Sequence, residues 1–264
     1  MQTNFKRVPA LDKSFAILEL MARSSAAFSI NEIVRKLRLN KSTVFNIMYT
    51  LTDLKVLERG GDGLFRLGTR LYLLGSAAAK DSGLIQTVHA YLIDINRRTR
   101  LSAFLGIRSG RHAVIVDKVD AAHDIKISSE IGMRLSLFAG ASGKALASLL
   151  PDEELDRLLE TTRLKPYTGH TVTDKSAFKK AVRRTRQEGI ARDREEYIAG
   201  IVALAVPLNT YRDNLQAAVW IVGLRQQLSE AKIPEVAELL KKVAADIDAR
   251  LAAAAGPAVT AVAE

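Results

Sequence analysis

Residues 29–66 read SINEIVRKLRLNKSTVFNIMYTLTDLKVLERGGDGLFR, and this stretch decides the fold. Ser29 stands three residues before Glu32, just ahead of the apolar set Ile30, Ile33, Val34 and Leu37. A hydroxyl and a carboxylate at that spacing satisfy two amides that a helix start leaves without partners. The connector Arg38-Leu39-Asn40 follows, with Asn40 placed to cap the next helix. In that helix Val44, Ile47, Met48, Leu51 and Leu54 recur at helical spacing, which predicts one buried face. The opposite face begins with Lys41, Ser42, Thr43 and Asn46, groups able to meet phosphates and base edges. Val56-Leu57-Glu58-Arg59, the turn Gly60-Gly61-Asp62-Gly63 and Leu64-Phe65-Arg66-Leu67 then read as a two-stranded hairpin. Helix, connector, helix and hairpin in that order predict a winged helix-turn-helix, a module that binds DNA.

The charge distribution agrees. The chain of 264 residues has 39 Lys or Arg against 29 Asp or Glu, a net charge of +10. Residues 1–70 hold 12 of the cations and 6 of the acids, so about a quarter of the length carries +6 of that excess. Clustered positive charge is the electrostatic footprint of a phosphate-binding domain. With no cysteine, disulfides, thiolate metal sites and a cysteine nucleophile are excluded. Met1-Gln2-Thr3-Asn4-Phe5-Lys6-Arg7 has no apolar run of signal-peptide length, and no segment approaches the roughly 20 apolar residues that span a bilayer. A cytoplasmic protein with no membrane partner is expected.

Before the opening motif, Leu11, Phe15, Leu18 and Ala22 mark one face of a first helix starting after Pro9. After it, Arg70 to Lys80 is helical in propensity and too apolar to stand alone in water, which predicts a linker helix packed on a neighbour. Gly83 is the expected boundary. A helix from Leu84 to about Arg98 buries Ile85, Val88, Leu92 and Ile95, and strands are expected over Ser102–Arg108, Ala113–Val119 and Ile125–Ile131. Ser142-Gly143-Lys144-Ala145-Leu146 is expected to open a helix, and Pro151-Asp152-Glu153-Glu154 another. A basic helix spans about Lys175 to Glu188, ending at Gly189. Further strands are expected at Ile190–Arg194, Val202–Leu208 and Leu215–Val222, with a last helix from Pro234 to about Ala252. Hairpins without strict βαβ alternation indicate an α+β fold. The expected domains are 1–68 (winged helix-turn-helix), 69–82 (linker helix), 83–252 (a second domain) and a disordered tail, 253–264.

In this order the motifs resemble the IclR family of bacterial transcriptional regulators, from Val8 to about Leu251. The matching stretches are Val8-Pro9-Ala10-Leu11-Asp12, Ile17-Leu18-Glu19-Leu20, Lys41-Ser42-Thr43-Val44 and Phe65-Arg66-Leu67-Gly68. The second domain adds Ser142-Gly143-Lys144-Ala145, Glu196 four residues before Gly200, and Ala205-Val206-Pro207. The resemblance implies a GAF-like antiparallel sheet domain flanked by helices, which binds a small-molecule effector, commonly a carboxylate or aromatic catabolite. It also implies double-stranded operator DNA as partner and a homodimer or dimer of dimers. No cofactor, metal or catalytic residue is implied.

Candidate DNA contacts are Ser29, Lys41, Ser42, Thr43, Asn46, Tyr49, Arg59 and Arg66. Helix capping is the competing role for Ser42 and Thr43, packing on the first helix for Tyr49, and a solvated hairpin charge for Arg59. Asn46 departs from the family's usual arginine; asparagine pairs bidentately with adenine, arginine with guanine. The resemblance places the effector pocket at Leu135, Ala141, Ser142, Asp193, Ile201, Ala203, Trp220 and Val222. Free amides at a helix start around residues 141–144 suit a carboxylate, although Ser142 also fits an ordinary N-cap. Ala203 stands where the family often has cysteine, and Trp220 and Val222 where it often has small polar residues. Trp220 then either stacks on an aromatic or branched ligand or fills the cavity, and Asp193 either accepts from a ligand hydroxyl or pairs with Arg192 or Arg194.

Two other functions compete with this reading. His89, His112, His123 and His170 are scattered, Ser142-Gly143-Lys144 lacks a P-loop's preceding glycines, and no nucleophile elbow occurs, which argues against an enzyme. An architectural DNA-binding protein without a sensor would not need residues 83–252.

Overall fold

A computed structural model of the chain describes residues 6–22, 24, 26–122, 126–210 and 215–255. These divide into two compact units, Met1–Asp81 and Ser82–Glu264. The first contains α1 (Pro9–Ala22), α2 (Ile30–Leu37), α3 (Lys41–Asp53), the strands β1 (Leu57–Arg59) and β2 (Phe65–Leu67), and α4 (Thr69–Ser82). At the start of α2 the capping box is complete: the Ser29 hydroxyl accepts from the Glu32 amide, and the Glu32 carboxylate accepts from the Ser29 amide at 2.8 Å. Asn40 holds the N-cap position of α3 without a side-chain cap bond. β1 and β2 pair antiparallel, and Phe28 bridges to Phe65, which adds a third short segment to the wing. The core is Ile17, Met21, Phe28, Ile33, Val44, Met48, Leu57 and Phe65.

Two expectations about faces are corrected. On α1 the buried residues are Ile17 and Met21, with Leu18 of the expected face half-buried against that core, whereas Leu11, Phe15 (64% exposed) and Ala22 face outward. Both stripes have helical spacing, and periodicity cannot choose between two apolar stripes on one helix. Leu54, expected inside, is exposed because α3 ends at Asp53.

The second unit contains, in order, α5 (Leu84–Thr99), β3 (Ser102–Ser109), β4 (His112–Val119), β5 (Arg134–Ser136), α6 (Gly140–Ser148), α7 (Asp152–Glu160), α8 (Lys175–Glu188), β6 (Ala191–Arg194), β7 (Ile201–Leu208), β8 (Ala217–Leu224) and α9 (Ile233–Ala255). The six strands form one antiparallel sheet in the order β5-β4-β3-β8-β7-β6. Alternate residues of a strand point to opposite faces, and here both faces are covered. Ala103, Leu105, Leu204, Val206, Val219 and Ile221 pack with α5 and α9. Phe104, Ala203, Ala205, Ala218 and Trp220 pack with α6, α7 and α8. The fold is α+β.

The strand expected over Ile125–Ile131 is absent: residues 126–130 are irregular, Ile131 lies in a turn, and Ile125 falls outside the described residues. The edge strand is instead β5, which pairs Arg134–Ser136 with His112–Val114. α6 begins at Gly140 with Ala139 as N-cap, so Ser142 lies within its first turn and does not cap it. α9 runs to Ala255, so the three alanines at the head of the segment 253–264 prolong the helix; 256–264 lie outside the described residues, as do 1–5 and His123. Among the described residues no helix is long and apolar enough to cross a membrane. Removing the box hydroxyl with Ser29→Ala should lower the stability of the first unit by about 1 kcal/mol, measured as a lower urea midpoint by circular dichroism.

Candidate functional site

On the first unit, α3 turns Lys41, Ser42, Phe45, Asn46 and Thr50 to solvent, opposite the buried Val44 and Met48. Thr43 and Tyr49 are half-buried. The Tyr49 ring lies against Phe45 and edge-on to Phe65, on the wing strand, at the margin of the core that includes Ile17 and Met21 of α1. The Arg59 guanidinium stands over the Tyr49 and Phe65 rings, at 5.7 and 5.8 Å from their centroids. Arg66 is turned back onto Asp62 within the wing turn at 2.7 Å, and its guanidinium holds the Asp62 carboxyl down at about 2. The Ser29 hydroxyl is committed to Glu32. Glu58 accepts from the amide and hydroxyl of Thr69, which ties the start of α4 to the wing; no local sequence signal announces that bond.

On the second unit, all eight residues expected to form an effector pocket line one cleft: Leu135, Ala141, Ser142, Asp193, Ile201, Ala203, Trp220 and Val222. It lies between the sheet face that carries Phe104 and Trp220, the first turn of α6, and the segments around Met133 and Tyr197. The cleft encloses about 620 Å³ out to its open mouth. Sequence reasoning missed Phe104, Ala139 and Gly140, and also Ile127, Ser129, Met133, Tyr197 and Ile198, the last five from irregular segments with no periodic signal.

The polar end of the cleft is organised by Asp193. Its carboxylate accepts from the Glu196 amide at 2.7 Å. Neither neighbouring arginine takes it: Arg192 pairs with Glu188 and Arg194 with Glu230. Burial pushes Asp193 up to about 6, helped by the nearby Glu196 and opposed by the amides of Glu196 and Tyr197 and by Lys144. Gly140, at φ +73°, brings the start of α6 so close that a Cβ there would lie 3.1 Å from the Asp193 Oδ2. Behind Asp193, the buried Lys144 (4% exposed) donates to the Arg192 carbonyl and, at 2.6 Å, to Glu196 Oε1. The cleft therefore offers helix-start amides and the Ser142 hydroxyl as donors beside one carboxyl that is easily protonated.

Trp220, 2% exposed, forms the apolar floor without plugging the cleft. Its ring stacks on Phe104 at 5.7 Å and 17° and leans diagonally across β3 into the gap left by Gly106. A Cβ on Gly106 would stand 2.5 Å from the indole Cη2 and 2.9 Å from the Val114 carbonyl. Among the described residues, no group of three or more His, Asp or Glu could hold a metal ion.

A winged helix-turn-helix whose second helix opens on Lys41 and turns a polar stripe to solvent defines a DNA-binding regulator. Residues 10–61 match the IclR helix-turn-helix domain, and residues 76–249 the C-terminal domain of bacterial transcriptional regulators of the IclR type. The chain belongs to the IclR family, whose members matched here are transcriptional regulators and not enzymes. It is 28% identical over 236 residues to the HTH-type transcriptional regulator XynR of Escherichia coli (strain K12), spanning 89% of this chain and 94% of XynR. The Thermotoga maritima IclR crystal structure is 30% identical, with a TM-score of 0.67 over 93% of this chain and 99% of its own. A crystal structure of an IclR homolog from Microbacterium hydrocarbonoxydans, complexed with 4-hydroxybenzoate, is 24% identical, with a TM-score of 0.77 over 92% of this chain and 99% of that one.

Two outcomes follow from the cleft. Gly106→Ala should displace the indole, shift the emission of the only tryptophan and cost about 1–3 kcal/mol through overpacking; unchanged emission would show that the ring is not seated there. Asp193 binds its proton more tightly folded than unfolded, so its own contribution to stability falls as pH rises from about 4 to about 6 and then levels. The melting temperature of Asp193→Asn relative to wild type should therefore rise across that window, in a thermal scan at each pH.

Proposed function

We propose that the chain is an effector-responsive regulator: residues 1–68 grip operator DNA, 69–82 link, and 83–252 sense a small organic acid. The cleft carries this reading, because an architectural protein has no use for a second unit whose helix-start amides, Ser142 and Asp193 converge on one cavity. Lys41, Ser42 and Thr43 sit in the first turn of α3, where the helix dipole already favours phosphate. Asn46 is set to read an adenine, with Tyr49, Arg59 and Arg66 toward the adjacent backbone and Ser29 shaping the approach of α2.

The effector is a flat carboxylic acid of about one ring. Its carboxylate meets the start of α6, and its apolar body lies on Trp220 and Phe104 between Leu135, Ile201, Ala203 and Val222, with Ala141 at the helix tip. The aromatic floor of Trp220 and Phe104 and the 4-hydroxybenzoate held by the Microbacterium homolog both support such a ligand. Self-association into a homodimer, or a dimer of dimers, is supported by Leu11 and Phe15 on α1 and Tyr72, Leu73 and Leu74 on α4, all exposed apolar side chains. The protein works in the cytoplasm, beside the DNA it controls.

The test titrates 4-hydroxybenzoate and related acids into the complex of the protein with duplex DNA from upstream of its own gene. A change in DNA affinity accompanied by a change in Trp220 fluorescence supports the reading. DNA binding that ignores every acid, with flat fluorescence, leaves the architectural alternative. Lys41→Ala should weaken binding to all sequences and reduce the slope of log affinity against log salt by about one; an unchanged slope removes Lys41 from the phosphate contacts.

A further inference from the structure

Phe45 is the one large apolar side chain on the outward face of α3, 47% exposed between Lys41 and Tyr49 on the helix surface. Its ring is nonetheless held in place. It lies 4.4 Å from the Tyr49 ring at 34°. Tyr49 meets the buried Phe65 edge-on at 5.9 Å, and Arg59 covers both of those rings. A column of aromatic groups thus rises from the core of the first unit to the DNA-facing surface and ends in Phe45. A side chain already fixed by its neighbours loses little further rotamer freedom when a partner seats on it.

In the major groove the apolar feature of a base pair is the thymine C5 methyl, which an apolar side chain such as phenylalanine can cover, whereas asparagine pairs with adenine N6 and N7. Phe45 and Asn46 are successive residues, about 100° apart around the helix, and both face outward. We propose that Phe45 is a base-reading residue that covers a thymine methyl beside the adenine read by Asn46, so that each half-site contains an A·T-rich step. The assignment rests on the operator reading above. Phe45 carries no charge and contributes nothing to phosphate binding, so its effect is confined to sequence preference.

The test selects duplexes from a random-sequence pool with the purified full-length protein, then resynthesises the selected duplex with deoxyuridine replacing thymidine one position at a time. Wild type should lose roughly fourfold in affinity at one thymine per half-site, the effect of one buried methyl group. Phe45→Ala should bind the thymidine and deoxyuridine duplexes equally at that position, with an unchanged salt slope. If deoxyuridine is neutral at every position of a duplex that wild type does select, or if Phe45→Ala keeps the methyl dependence, Phe45 does not read thymine while operator binding stands. If no duplex is enriched over competitor, the operator reading falls and this assignment falls with it.

Discussion

The close seat of α6 on the sheet is the contact from which the rest of the second unit is built. Every residue of this helix is buried, and all but Lys144 and Leu146 are Gly, Ala or Ser, which lets it lie close against the strands. At Gly143 a Cβ would stand 2.6 Å from the Leu137 carbonyl, so the approach depends on a missing side chain. Once α6 is seated, its first turn faces Asp193 and its Lys144 reaches Glu196. The loop that carries Tyr197 and Ile198 to the cleft mouth is thereby anchored to the helix that forms the cleft's polar end. A buried ion pair of this kind is a device for position more than for stability, since desolvation offsets most of the attraction; losing one partner still costs about 3–5 kcal/mol.

The same economy of space governs the apolar end. Gly106 makes the hollow into which Trp220 lies down, and Phe104 stacks beneath it. A large aromatic residue therefore becomes a floor, and the volume above it remains for a ligand. On the first unit, aromatic packing works in the other direction: Phe65, Tyr49 and Phe45 carry order from the core out to the surface, where a rigid face is needed.

Much of the fold was legible because its signals are local. The Ser29–Glu32 box, the buried Val44 and Met48, and the helix over residues 175–188 that stops at Gly189 each rest on a pattern within a few turns of chain. Local patterns failed where two answers share one pattern. Leu11 and Phe15 repeat at the same spacing as Ile17 and Met21, and only packing decided which stripe went inside. The alternating segment Ile125–Ile131 looks like a strand, yet the ladder with β4 is formed by Arg134–Ser136, with Gly132 and Met133 adding backbone bonds to Ile115. The eight cleft residues were reached through family resemblance, because they come from five separate stretches of chain that no spacing rule connects.

What the chain determined by itself was the element order, the clustered positive charge and the polar stripe of α3, since these depend on neighbours within one helix or hairpin. Tertiary structure decided which carboxylate stands at the start of α6, where the indole lies, and that Asp193 is held by amides with its arginine neighbours turned elsewhere. Those outcomes depend on distances between residues far apart in sequence, and such distances exist only after the sheet has closed against its helices.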